Sequence, residues 1–199
     1  MKKIVVLGLS VALLAGLAGC SEKPADSNSS SASSQKSSQT SQSQSSSETS
    51  TNFKVSVDDA IKSYQEAYPD SDITSIDLET SFGKYLYKIE GVDDNKEYEV
   101  RVDADTKDVS KEREENLDME DKDGVKRKED KLDLENLLSI EEVSDIATKQ
   151  VGSGKATDWS LDKEMGTTYW EVKVLDGHKE TEVKINAQSG EVLESETDD

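Results

Sequence analysis

The sequence predicts an α+β fold of two repeated modules, each one helix packed on a three- to four-stranded antiparallel sheet. Three observations predict it. Val55 to Val109 aligns without a gap on Leu138 to Val192, an offset of 83 (138 − 55). Each copy opens on an apolar stripe with helical spacing. Each copy then continues in short segments that alternate apolar and polar residues.

The elements follow in chain order. Residues 1–19 read as a signal peptide: Met1-Lys2-Lys3 is basic, and the apolar run Ile4 to Ala18 is shorter than the ~20 residues of a membrane span. Leu17-Ala18-Gly19-Cys20 resembles the lipobox of bacterial lipoproteins. That resemblance implies a lipid thioether on Cys20, which becomes the first residue of the mature chain. Residues 20–52 are mostly Ser, Gln, Thr, Asn and Ala, with no apolar periodicity. They read as a disordered tether with a span of roughly 30 Å.

The first module covers residues 53–112. Val57, Ala60, Ile61, Tyr64 and Tyr68 form its helix stripe, with Ser56 as N-cap and Pro69 as terminator. Strands follow around Ile76-Leu78, Tyr85-Tyr87-Ile89 and Tyr98-Val100-Val102, with a short fourth segment at Val109. Residues 113–136 are dense in both charge signs and read as an exposed linker. The second module covers residues 137–196. Its stripe is Ile140, Val143, Ala147 and Val151, and Ser139 with Glu142 makes a capping box. Its strands centre on Trp159-Leu161, Trp170-Val172-Val174 and Thr181-Val183-Ile185. About ten identities in about 55 positions, with apolar phase kept throughout, mark a true repeat.

Trp170-Glu171-Val172-Lys173-Val174, a turn, and Val183-Lys184-Ile185-Asn186-Ala187-Gln188-Ser189-Gly190-Glu191-Val192 together resemble the PepSY domain. The first copy carries the same order through Tyr87, Ile89, Val100 and Val102. There Lys107 stands where Gly190 supplies the turn glycine, which predicts a different turn. The residues carrying the motif are therefore Tyr87, Ile89, Val100, Val102, Trp170, Val172, Val174, Val183, Ile185 and Gly190, all of them structural. The resemblance implies an extracytoplasmic binding protein that restrains a secreted or envelope peptidase. The alternative is a structural or sensory accessory lipoprotein of another envelope system, with no peptidase contact.

Composition narrows the chemistry. The chain has 24 basic and 44 acidic residues, a net charge of −20. Without residues 1–19, which carry Lys2 and Lys3 and no acid, the balance is 22 against 44, or −22. A polyanion gains nothing from counterion release, so nucleic acid is not a partner. Anionic headgroups repel it, so the lipid on Cys20 must hold it to the extracytoplasmic face of the cell membrane. The expected partners are thus the membrane, through that lipid, and a protein (a peptidase or another envelope protein). The single cysteine is committed to the lipid, so no Cys–His pair is available. The single histidine, His178, falls in a predicted turn, which leaves no serine triad. No enzyme activity and no cofactor are expected.

Two further patterns fall short of a site. Asp121, Asp123, Gly124 and Asp130 fall at calcium-loop spacing, but the first ligand position is Met119 and basic residues crowd the loop. No metal site is assigned. Trp159 and Trp170 fall on the core phase, while Tyr169 falls on the outward phase.

Overall fold

The computed structural model describes residues 53–198. Cys20, the signal peptide and the tether lie outside the described residues. The elements are α1 (Val57–Ala67), β1 (Asp72–Ser81), β2 (Lys84–Val92), β3 (Lys96–Asp103), β4 (Val109–Asn116), α2 (Val125–Asp130), α3 (Ile140–Val151), β5 (Lys155–Glu164), β6 (Thr167–Asp176), β7 (Lys179–Asn186) and β8 (Val192–Asp198).

The offset of 83 maps β1 onto β5 (155 − 72) and β3 onto β7 (179 − 96) end to end. It also maps the bulge between Ile73 and Ser75 onto the one between Ala156 and Asp158. Helices α1 and α3 each start where a serine stops the backbone from fraying. The Ser56 Oγ accepts from the Asp59 N–H at 3.2 Å. The Ser139 Oγ accepts from the Glu142 N–H, and the Glu142 carboxylate accepts from the Ser139 N–H at 2.9 Å, so the capping box is complete.

Each module has four strands, and the two sheets are one. The order is β4-β3-β2-β1-β5-β6-β7-β8, with every neighbour antiparallel. The seam is β1 on β5, through Ile76–Leu161, Asp77–Ser160 and Leu78–Trp159. Under the offset the middle pair maps onto itself and the outer two exchange, so a local two-fold axis passes between Asp77 and Ser160. An edge strand with unsatisfied amides is a liability, and here each module's first strand covers the other's.

The two module helices, α1 and α3, pack on one face. Helix α1 lies against β2 and β3, and α3 against β5, β6 and β7. Between helices and sheet lies one contiguous apolar cluster. Tyr87, Ile89, Val100, Val102, Trp170, Val172, Val174, Val183 and Ile185 are all wholly buried in it. Phe53, at the start of the first module, stacks edge-on against Trp159 of the second at 5.6 Å. The core therefore crosses the module boundary as the sheet does.

The segment read as an exposed linker is more engaged than its composition suggests. Strand β4 takes it up as far as Asn116, and α2 forms within it. Leu117 and Leu132 are buried. The Leu132 N–H donates to the Ile73 carbonyl at 3.0 Å, and the Asp133 N–H donates to Thr168 Oγ1 at 3.0 Å. Arg127 and Lys131 both grip Asp72, at 2.6 and 2.8 Å. Burial disfavours the Asp72 charge, but these two cations outweigh it and hold the carboxyl below its usual range. Sparse leucines and paired charges are what tie the segment down.

Lys107 corrects the expectation of a different turn. It adopts φ 66°, matching Gly190 at φ 74°. The Lys107 N–H donates to the Asp103 carbonyl at 2.9 Å, as the Gly190 N–H donates to the Asn186 carbonyl at 3.0 Å. The turn is thus the same, and the lysine bears the strain the glycine avoids. What fixes it is the preceding residue. Asp103 Oδ1 accepts from the N–H groups of Asp105 and Thr106, and Asn186 Oδ1 accepts from those of Gln188 and Ser189.

Those bonds from Thr106 and Asp105, helped by Lys84, hold the Asp103 carboxyl down to about 2. Its folded value lies below the ordinary 3.8, so its stabilisation is complete above that pH and is lost as pH falls toward 2. Asp103→Asn keeps both acceptor bonds, as Asn186 does. The variant is expected to flatten the acid limb of the stability profile between about pH 4 and pH 2. Urea midpoints measured across that range check it.

Candidate functional site

In a pleated strand alternate side chains leave the core, so the face opposite the helices is set by the intervening residues. Across its centre runs one registered row: Arg101, Lys88, Asp77, Ser160, Glu171, Lys184 and Glu194, each paired with the next on the neighbouring strand. The two-fold axis bisects it. Lys88 maps to Glu171 and Arg101 to Lys184, so one pair of equivalent positions inverts its charge and one keeps it.

Ion pairs lace the face. Lys88 meets Glu90 at 2.9 Å, Lys173 meets Glu180 at 2.8 Å and Lys184 meets Glu194 at 3.1 Å. All are partly exposed, so each contributes at most about 1 kcal/mol. Their effect is to fix the charge pattern rather than the fold. The Lys184 ammonium also lies 5.6 Å above the Tyr169 ring, which occupies the outward phase.

At the seam the face is concave. A cavity of about 210 Å³ is lined by Asp77, Glu79, Asp158, Ser160, Glu171, Lys173 and Glu182, among others. Five of these are carboxylates and one is a cation. The Ser160 hydroxyl donates to Asp77 at 2.7 Å and spends its proton on the axis. Glu171 is pushed above the usual carboxylate range by burial first, then by Glu182, Asp162 and Glu194. A raised carboxyl among other acids marks a site that would take a cationic group.

Of the remaining sequence candidates only Trp159 borders the cavity. His178 is exposed in the β6–β7 turn and does not line the cavity. Trp159 is buried and donates its indole N–H to Ser144 on α3 at 2.8 Å. Trp170 is buried as well, and Gly190 forms the turn after β7. In the calcium-like stretch, the second half of the loop is α2, and Asp130 is taken by Lys126 at 2.7 Å. Among the described residues no group of three or more acids, histidines or cysteines is arranged to hold a metal.

Sequence reasoning missed the seam cavity. Its walls come from β1 on one side and β5, β6 and β7 on the other, and the β1–β5 pairing that joins them is not visible in either strand alone. The available signal was the offset itself, which makes Asp77 and Ser160 equivalent positions.

Residues 54–113 and 137–196 each match the family model described as peptidase propeptide and YPEB domain. The uncharacterized protein YkoJ of Bacillus subtilis (strain 168) is 27% identical over 131 residues, which are 65% of this chain and 68% of that one. A crystal structure from Clostridium difficile 630, described provisionally as that of a lipoprotein, matches with a TM-score of 0.70 at 39% identity. The match covers 74% of this chain and 95% of that one.

Proposed function

We propose, from the premise that this chain belongs to the PepSY family, that it is a lipid-anchored extracytoplasmic binding protein that restrains a secreted or envelope peptidase. The family's own description names peptidase propeptides, which supports a peptidase as the partner class. The lipobox resemblance at Cys20 supports the anchor, and so does the description given to the structural neighbour. The observation that carries the reading is the acidic cavity at the seam of the open face. It offers five carboxylates on a rigid sheet to a basic protein surface, without a nucleophile–base pair to do chemistry on it.

The test uses the full chain in detergent micelles, added to an envelope fraction degrading a protein substrate. Degradation is expected to slow. Glu171→Lys with Glu182→Lys reverses charge in the cavity, and is expected to weaken the effect by about tenfold or more with little change in melting. Unchanged proteolysis with the unaltered protein removes the peptidase from the proposal. In cells, Cys20→Ser is expected to move the protein from the membrane fraction to the soluble one. A variant that stays with the membrane sinks the anchor.

A further inference from the structure

We propose that β4 is a pairing edge for a second copy of this chain, the two β4 strands joining antiparallel about a two-fold axis into one continuous sheet. The eight-stranded sheet ends on β4 at one side and on β8 at the other. An edge strand presents a row of backbone N–H and C=O groups to any chain that can pair with them. The two edges are equivalent in the repeat, yet their charges differ in kind. Strand β8 carries Glu194, Glu196 and Asp198 and no base. Two β8 strands laid together set acid against acid, which closes that edge. Strand β4 alternates sign through Lys111-Glu112-Arg113-Glu114, and all of it but Arg113 is exposed. Laid antiparallel on itself, it sets Lys111 opposite Glu114 of the second copy and Glu112 opposite Arg113. The two-fold makes each of these pairs occur twice, and no like charges stand opposite one another.

The side chains must also agree in face, since residues directly opposite in an antiparallel pair point to the same side of the sheet. In a regular strand Lys111 and Glu114 would point to opposite sides, and so would Glu112 and Arg113. A bulge in β4 removes the conflict. Its register slips between Val100–Lys111 and Glu99–Arg113, which makes Glu112 the extra residue. Arg113 reaches Glu90 on the open face at 3.4 Å, and the Ser110 hydroxyl donates to the Glu112 carboxylate at 2.6 Å. Ser110, Glu112 and Arg113 therefore share the open face. Lys111 lies on the helix side, 4.2 Å over the Tyr68 ring, and Glu114 lies there too, opposite the buried Tyr98 and paired with Lys96. Both charge pairs are thus in phase. A slip of one residue in either direction sets Glu112 against Glu112 or Arg113 against Arg113, and turns the faces out of phase.

The occupant follows from the strand itself, because the complementarity is that of β4 with β4. A bulge ordinarily blunts an edge. Here the two bulges face each other across the axis, so equal lengths of chain stand opposite and the ladder keeps its step. The net charge of −20 on each copy opposes the approach. At physiological salt, charges more than about 8 Å apart are largely screened, so the pairs across the edge decide the contact. The contact is isologous and closes at two copies, since both outer edges of the joined sheet are then β8. The inference does not rest on the peptidase reading.

The test places a photo-crosslinking residue at Ser110 of the full chain, in intact cells that make two differently tagged copies. Adducts joining the two tags are expected, mapping to residues 113–116 of the second copy. The same probe at Ser195, on the acidic edge, is expected to join none. Lys111→Glu with Arg113→Glu makes β4 as uniformly acidic as β8, and is expected to reduce the adducts about tenfold or more. Glu112→Lys with Glu114→Lys makes it uniformly basic, with the same expected loss. Made together under different tags, the two variants are complementary again and are expected to restore the adducts between tags. A variant that had merely failed to fold would not be restored. The proposal is overturned by adducts that survive either double substitution, that map to another segment, or that reach only other proteins. It is overturned equally by no adducts between tags, or by no recovery in the mixture.

Discussion

Replacing Gly91 with valine is expected to cost the fold about 3 kcal/mol, at the upper end of overpacking losses. A Cβ built at Gly91 lies 2.2 Å from Tyr64 Oη and 2.6 Å from the Asp72 carbonyl. Tyr64 is wholly buried, and its hydroxyl is hydrogen-bonded to Ser71 at 2.9 Å. Burial raises that hydroxyl to about 12, so it stays neutral at any ordinary pH and the clash is with a fixed, uncharged group. The repeat explains why the position is glycine. Under the offset Gly91 corresponds to Val174 and Tyr64 to Ala147, all in the same core layer of their modules. One module fills the space from the helix, the other from the strand. Tyr64→Ala should therefore rescue Gly91→Val in part. The coupling expected between the two sites is about 1–3 kcal/mol, read from urea titrations of the four proteins of the cycle. The rescue stays partial because the Asp72 carbonyl must still shift. Additive losses would show that the two modules do not exchange bulk in this way.

That exchange shows what was legible in the sequence. The offset of 83 carried the phase of every strand, and the caps at Ser56 and Ser139 fixed where the helices begin. Those signals are local, lying within a few residues of the structure they specify. What was not legible is relational. Nothing in Ile76-Asp77-Leu78 says that its outer edge pairs with Trp159-Ser160-Leu161 rather than with solvent. The alternation specifies a buried face and leaves the pairing partner open. The charged segment after β4 shows only its composition in sequence, and composition hides two buried leucines among many exposed charges. In sequence Lys107 looks like a departure because glycine is the usual solution at positive φ. The Asx bond from Asp103 enforces the turn regardless. The candidate site was legible only in its parts, since the acids at 77, 79, 158, 171 and 182 gather only once the seam is known.

The seam also sets how the protein should unfold. Trp159→Ala is expected to cost about 3–5 kcal/mol, the range for removing a large buried aromatic. Trp159 pairs with Leu78 across the seam, stacks on Phe53 from the first module and donates to Ser144 on α3. Its loss removes contacts from both modules at once and leaves the Ser144 hydroxyl without its donor. The chain has two tryptophans, so the variant keeps Trp170 as the sole tryptophan, wholly buried in the second module and excited selectively at the red edge of the absorption band. Far-ultraviolet circular dichroism reports on both modules together. If the continuous sheet and shared core make one cooperative unit, the two probes give a single coincident transition in the variant as in the parent, at a lower midpoint. Separate transitions would mean that three backbone pairs at the seam are too few to couple two domains. Coincidence is expected because the coupling does not rest on those pairs alone. Phe53 against Trp159, Leu132 against the backbone of Ile73, and the Asp133 amide on Thr168 each fasten one module to the other, or to the segment between them. These contacts lie on the helix side of the sheet, where side chains are buried, and losing any one exposes apolar surface on both halves.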